Sequence, residues 1–244
     1  MTNFRFYAAG ESAALQYAVE NLTRHGYTFL PCPDDTATHL ILPVPSFDDQ
    51  GYIIGGEDLS EVLRQLPETV TVVGGHLDHP LLRNYKTVDL LKDHQYLTRN
   101  AKITACCAVG IAMEQLDGVL ADYPCLVIGW GRIGKSLVRF LRGLDVKVTV
   151  CARKEGDRAI LRALGYESTD ISHVEPRNFR IIFNTAPQMV LPDSPAGILK
   201  IDLASVPGLG GRDVIRARQL PGLRAPYSSG KLIAQTVMEK ESLL

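Results

Sequence analysis

The sequence predicts an α/β protein of two domains: a C-terminal Rossmann domain built on a doubly wound parallel sheet, and a smaller N-terminal flavodoxin-like α/β domain. Three observations predict it. Short Val/Leu/Ile-rich runs alternate with amphipathic helical runs, the pattern of a parallel sheet covered by helices on both faces. An apolar helical run at 104–120 interrupts that alternation, which then restarts. Gly129-Trp130-Gly131-Arg132-Ile133-Gly134 stands between a strand and a helix, where a dinucleotide-binding unit carries G-x-G-x-x-G.

In the first hundred residues, Phe4 to Gly10 reads as a strand closed by glycine. Leu15, Ala18, Val19 and Leu22 recur at i, i+3, i+4 and i+7, which puts them on one helix face. Tyr27–Leu30 and His39–Pro43 are further strands, the second stopped by Pro43 and Pro45. Residues 46–56, with Asp48-Asp49, Gly51, Gly55 and Gly56, read as an irregular connection or hairpin. Leu59, Val62, Leu63 and Leu66 repeat the helical stripe, and Thr69–Gly75 is another glycine-ended strand.

Residues 104–120 carry apolar side chains on more than one helix face, so the helix they predict is buried between two bodies and joins the domains. The expected domains are 1–103, of substrate or catalytic type, and 104–229, the nucleotide-binding part. The terminal segment 230–244, helical over 230–243, is expected to pack back on the first.

After the joining helix, Cys125–Ile128 is a strand, and Ile133, Leu137, Phe140, Leu141 and Leu144 form a helix stripe. Val146–Val150 is the next strand, and Arg158–Leu164 a short helix stopped by Gly165. Arg180–Asn184 and Gly197–Leu203 are strands, Asp213–Gln219 is expected to be helical, and Gly222–Ala225 a last short strand.

Composition narrows the functions. Of 244 residues 45% are apolar, enough for a packed core, and 26 Lys+Arg against 27 Asp+Glu leave a formal charge of -1. No global field draws such a chain to nucleic acid or to an anionic bilayer. No apolar run approaches the ~18–20 residues of a spanning helix. Neither nucleic acid nor a membrane is an expected partner. The first residues lack the basic stretch and apolar run of a secretory leader, so a cytoplasmic location is expected. The five cysteines show no C-x-x-C and no ligand spacing, so no metal site is expected.

The glycine loop carries the chemistry. Gly129 permits a sharp turn, Gly131 has no Cβ to hold a pyrophosphate off the backbone, and Gly134 lets helix and strand pack closely. The N–H groups and dipole at the helix start, from Arg132 and Ile133 onward, then face an anion. Where an NAD site usually places Asp or Glu, the second strand ends in Cys151-Ala152-Arg153-Lys154, with no carboxylate before Glu155. Arg153 and Lys154 suit a 2′-phosphate, so NADP is the expected cofactor, with NAD the alternative. Ligands of open α/β sheets bind beyond the C-terminal strand ends. Asn184-Thr185-Ala186-Pro187, and Leu203-Ala204 within Asp202–Gly208, are therefore expected to border the nicotinamide half.

Together these segments resemble the A-subunit family of dipicolinate synthase, nicotinamide-dependent proteins of spore-forming bacteria. The matching residues are Thr104-Ala105, Gly129 to Lys135, Ala152-Arg153, Asn184 to Pro187, Asp202 to Gly208, Ala225-Pro226 and Gly230 to Ala234. The likeness covers about residues 100–244. The first hundred residues look shorter than that family's N-terminal domain and match no motif of it. The resemblance implies oxidation of dihydrodipicolinate, or a similar small cyclic dicarboxylate, to dipicolinate with hydride passing to NADP. It also implies a flavoprotein-like second subunit.

For a dicarboxylate, two predicted helix starts offer hydroxyls, free N–H groups and an ammonium: Thr104, and Ser228-Ser229-Gly230-Lys231. Helix capping is the alternative role for these residues. His76, after Val73-Gly74-Gly75, is placed at a strand end to face a cleft between the domains and is the candidate base, with Asp78 and His79 as candidates to orient it. The family shows an acid and a glycine after its Thr-Ala, where this chain has Cys106-Cys107; if that acid takes part in the chemistry, the chain is a diverged relative. Thiols at a helix start are activated, whereas buried ones are inert.

Two other functions compete. One is a non-catalytic NADP-binding subunit or sensor. The other is a D-2-hydroxyacid dehydrogenase-like enzyme, disfavoured because no His follows His173 and Ala204-Ser205 replaces that family's Arg-Gly. A homo-oligomer is expected.

Overall fold

Short apolar runs and period-3.6 patterns alternate along the chain, and in the computed structural model, which describes residues 4–193 and 195–240, the runs pair into two wholly parallel sheets. Tertiary contacts divide the chain into two units. One comprises residues up to Asn100 together with those from Pro221 on, and the other spans Ala101–Leu220.

The first unit opens with β1 (Arg5–Ala8), α1 (Ala13–Arg24), β2 (Thr28–Phe29), β3 (His39–Ile41), α2 (Leu59–Leu63), β4 (Thr71–Gly74) and β5 (Lys86–Asp89). Its strand order, β2-β1-β3-β4-β5, is that of flavodoxin-like sheets, with the switch point between β1 and β3. Ser12 caps α1 by accepting the Leu15 N–H at 3.1 Å, and Leu15, Ala18 and Leu22 turn inward. β3 and β4 are buried along their whole length, as central parallel strands are.

Residues 46–56 form a hairpin-like excursion closed by an antiparallel bridge between Phe47 and Ile53. β5 has no counterpart in the sequence reading. It is an edge strand, Lys-Thr-Val-Asp, with one apolar residue, and its pairing with β4 (Val73↔Val88) makes it a strand.

The division between units falls inside α3 (His94–Glu114). This corrects the predicted 104–120. Asp93 starts the helix ten residues earlier: its carboxylate accepts the Tyr96 N–H at 2.6 Å and its carbonyl the Leu97 N–H at 2.9 Å. Among His94 to Asn100 only Tyr96 and Leu97 are apolar, and as sequence neighbours they set no helical period. At the other end the helix stops short of Asp117-Gly118, a turn pair.

The second unit continues with β6 (Cys125–Ile128), α4 (Arg132–Gly143), β7 (Val148–Cys151), α5 (Glu155–Ala163), β8 (Glu167–Thr169), β9 (Ile181–Asn184), β10 (Leu199–Asp202) and β11 (Val214–Arg216). The order β11-β10-β9-β6-β7-β8 is the Rossmann arrangement, with its switch point between β6 and β9. Ala105, Ala108 and Ala112 of α3 join Leu137, Leu141, Val127 and Phe183 in this unit's core.

Two expectations fail here. Residues 213–219 are not helical, because Val214 and Ile215 extend the sheet beside β10 (Ile201↔Ile215). Residues 222–225 are not a strand, since α6 (Leu220–Arg224) takes the first three and Ala225 is the N-cap of the next helix. The chain ends in α7 (Pro226–Glu239), which starts four residues before the predicted 230; residues 241–243 of that prediction lie outside the described residues.

Within the first unit α7 lies against α1. A Cβ on Gly230 would sit 2.4 Å from the Ala14 carbonyl oxygen and 2.6 Å from the Tyr17 Cβ, so only glycine allows this approach. Ion pairs Lys240–Asp93 at 2.8 Å and Arg99–Glu239 at 2.7 Å tie the end of α7 to the start of α3. No helix of the described residues is long and apolar enough to cross a membrane.

Candidate functional site

At the switch point of the second unit the chain leaves β6 through Gly129, whose φ of 103° lies in the left-handed region. The loop is bolted to the neighbouring strand exit. The Thr185 N–H and hydroxyl both donate to the Ile128 carbonyl, at 2.8 and 2.9 Å, and the Gly129 N–H donates to the Cys151 carbonyl at 2.9 Å.

The three glycines serve three ends. A Cβ on Gly129 would meet the Thr185 hydroxyl at 2.4 Å, and one on Gly134 would meet the Gly129 carbonyl oxygen at 2.1 Å. A Cβ on Gly131 would meet nothing within 4 Å. Gly131 is also the N-cap of α4 and supplies no side-chain acceptor for the first N–H groups of that helix. A helix start without a side-chain cap, beside a residue without Cβ, can cradle a phosphate anion.

The cradle opens into a pocket of about 310 Å³. Gly129, Trp130 and Gly131 form its floor, Cys151 to Lys154 one wall, and Ala186, Gln188 and Val190 another. Arg153 and Lys154 are exposed at its rim. Trp130 lies 6.3 Å from the Tyr166 ring, with the Lys135 ammonium 5.7 Å from its own. It is the only tryptophan in the chain.

Asp157, Ile171, Gln188 and Val190 also line the pocket, and sequence reasoning missed them. Ile171 follows β8, a short strand with no apolar signal, and Gln188 lies just beyond the quoted Asn-Thr-Ala-Pro run. Arg132, Ile133 and Gly134 form the first turn of α4 behind the floor. Pro187 is exposed, and Leu203 and Ala204 are buried; none of the three lines the pocket.

Asn184 and Thr185 have other work than a ribose. The Asn184 side chain is fully buried: its amide donates to Asp202 at 2.8 Å and to the Ala186 carbonyl at 3.1 Å, and its oxygen accepts the Ala186 N–H at 3.0 Å. Asp202 is the hub of both loops. One oxygen accepts Asn184 and the Ala204 N–H, the other the N–H groups of Gly208 and Leu209 and the Arg216 guanidinium at 2.5 Å. Burial pushes its pKa up, yet the Gly208, Asn184, Leu209 and Ala204 donors outweigh that and hold it below the usual carboxylate value.

The turn after β7 is held by Arg158. One of its terminal nitrogens donates to the carbonyls of Ala152 and Arg153, at 2.8 and 2.9 Å, and the other to Glu155 at 2.8 Å. Glu155 also pairs with Arg162 at 3.1 Å, and these two arginines lower its pKa.

Several expected substrate residues stand elsewhere than predicted. Thr104 does not open a helix: it lies in the middle of α3, buried, where the helix start has long passed. Cys106 and Cys107 are likewise inside α3, exposed and half-buried, without a helix terminus to activate a thiol. Ser229 is buried in α7 and its N–H donates to the Ala225 carbonyl at 2.9 Å; Lys231 is exposed further along. Of the four, Ser228 alone lies in a first helical turn, behind Pro226.

In the first unit His76 is exposed just past β4 with φ of 59°, a strained value for a side-chain-bearing residue. Asp89 holds it there, accepting the His76 and Leu77 N–H groups, each at 3.1 Å. The two residues expected to orient it are engaged otherwise. Asp78 pairs with Lys92 at 3.0 Å, and His79 caps a 3-10 turn through Leu81 and packs on Phe47.

The chain is 25% identical to the A subunit of dipicolinate synthase from Bacillus subtilis (strain 168), over 87% of this chain and 82% of that protein. It resembles dipicolinate synthase. The crystal structure of the corresponding protein from Bacillus halodurans superposes with a TM-score of 0.84 at 22% identity, covering 98% of this chain and 97% of that one. The Bacillus subtilis structure gives 0.80 at 21%, covering 99% and 97%. The likeness of fold therefore extends beyond residues 100–244 into the first unit. No family model matches the chain.

Proposed function

We propose that this chain is an NADP-dependent oxidoreductase that oxidises dihydrodipicolinate, or a similar small cyclic dicarboxylate, to its aromatic product. One observation carries the reading: the glycine cradle at the β6–β9 switch point opens into the same pocket as Arg153 and Lys154. The open space over Gly131 fits a pyrophosphate, and the two cations at the rim fit a 2′-phosphate. The bound nicotinamide would take the hydride. The chain's residues bind and orient: α4 faces the anion, Ala186 and Val190 offer an apolar wall, and the Asp202 hub holds both strand exits rigid. Aromatisation also releases a proton, which a base must accept. The relative in Bacillus subtilis supports the substrate class.

A second reading is an NADP-binding subunit that acts only with a flavoprotein-like partner. It is favoured by the burial of Thr104 and Ser229 within helices, which removes two of the four groups expected to hold the substrate's carboxylates.

The test uses Trp130 emission, which reports on this pocket because no other tryptophan exists in the chain. Titration with NADPH is expected to quench it at far lower concentration than NADH, and Arg153→Glu is expected to weaken NADPH by about tenfold or more, the loss of a charge-assisted pair, while sparing NADH. Equal affinity for both nucleotides removes the NADP assignment, and binding of neither removes the cofactor reading. Turnover of dihydrodipicolinate by the chain alone separates the enzyme from the partner-dependent subunit.

A further inference from the structure

We propose that Arg158 sets the cofactor preference of this pocket without touching the nucleotide, as a positioning residue for the turn that carries Arg153 and Lys154. This rests on the NADP reading above. In the sequence Arg158 is one more cation near the pocket; in the structure its side chain is 15% exposed and its guanidinium is taken up by three acceptors. It is committed to the protein.

Those acceptors define what it does. One nitrogen bridges the consecutive carbonyls of Ala152 and Arg153. Because each peptide is planar and trans, the N–H groups of Arg153 and Lys154 point opposite to those carbonyls, away from Arg158. The turn is thereby fixed with its donors directed away from the clamp, and the two residues that carry the cations line the pocket. The second nitrogen holds Glu155, the first carboxylate in sequence after β7, where an NAD site carries its ribose-reading acid at the strand end. Shared between Arg158 and Arg162, Glu155 does not line the pocket, whereas Arg153 and Lys154 do. Arg158 thus presents the cations and withdraws Glu155, leaving Asp157 as the carboxylate in the lining, and both effects favour a 2′-phosphate over a 2′-hydroxyl.

The experiment compares wild type, Arg158→Met, Arg158→Lys and the double variant Arg158→Met/Glu155→Gln by Trp130 emission, each titrated with NADPH and with NADH. Arg158→Met is expected to lose about tenfold or more in NADPH affinity, with NADH changed by less than about threefold. The double variant is expected to recover part of the loss, because the released carboxylate is gone. Arg158→Lys keeps the charge but not the forked contact, should fold even if the methionine variant does not, and is expected to fall between. If the NADPH-to-NADH ratio stays at the wild-type value in the single variants, Arg158 is merely structural and the inference is wrong, even if both affinities fall together. Absence of NADPH preference in wild type overturns the reading beneath it instead, and is seen before any variant is made.

Discussion

Acid should destabilise the first unit through His39 in particular. This side chain sits in β3, 4% exposed, stacked on Phe6 at 4.8 Å and edge-on to Phe4 at 5.1 Å. Its Nδ1 meets the Thr38 hydroxyl at 2.8 Å, but its Nε2 is buried with no hydrogen-bond partner. A proton there would be a charge without an acceptor. Burial, and next the charge of Lys86, lower the pKa from 6.5 to about 4. Above pH 6.5 the ring is neutral in both folded and unfolded chains and contributes nothing to the pH dependence. Between about 6.5 and 4 the unfolded chain binds the proton and the folded one does not, so stability falls as pH falls. At ~1.4 kcal/mol per unit the full loss is about 3 kcal/mol, complete near pH 4.

Urea midpoints of wild type and His39→Phe, taken in steps from pH 7.5 to 4, isolate this contribution, because the carboxylates titrate alike in both. Any packing cost of phenylalanine is independent of pH and shifts the difference curve without tilting it. A difference curve that stays flat through the whole range refutes the argument.

Three further outcomes are expected. Gly131→Ala should fold as wild type, since its Cβ enters open space, yet lose nucleotide binding in the Trp130 titration; Gly134→Ala, with its Cβ 2.1 Å from a backbone oxygen, should lose stability by about 1–3 kcal/mol as well. Wild-type binding by Gly131→Ala would place the phosphate elsewhere. Asp202→Ala leaves Asn184, Arg216 and three N–H groups without their acceptor, and thermal unfolding should show a loss of about 3–5 kcal/mol. Gly230→Val should loosen α7 from α1 by about 1–3 kcal/mol, seen as earlier cleavage in limited proteolysis and a lowered Tm; unchanged protection would mean the helices part without cost.

What could be read from the sequence was what is local. The glycine loop was legible because its meaning lies within six residues and the two elements beside them. The buried strands were legible because a central parallel strand is a near-continuous apolar run, as β6 is throughout and β9 is up to Asn184. Edge strands are another matter: β5, β8 and β11 owe their conformation to a neighbour's hydrogen bonds, and Glu-Ser-Thr or Lys-Thr-Val-Asp carries little pattern of its own. The start of α3 was hidden for the converse reason, since its signal was a single cap, Asp93, ahead of turns whose two apolar residues, Tyr96 and Leu97, are adjacent and show no period.

The polar site residues show the deeper limit. Asn184, at the end of a strand beside the glycine loop, has the chemistry of a ribose ligand, and its position alone does not oppose that role. Its partner Asp202 is eighteen residues away, and only the parallel register of β9 with β10, which pairs these two positions, turns the amide inward to build the loop. Arg158 follows the same logic in the other direction. A cation near a phosphate pocket reads as a ligand, but two carbonyls and a carboxylate claim it first, and its effect on the ligand is exerted through them. A residue type states what a group can bind, and the register decides which of the available partners it reaches. At this switch point the side chains left free for a ligand are those that the loop's own carbonyls and carboxylates have not already taken.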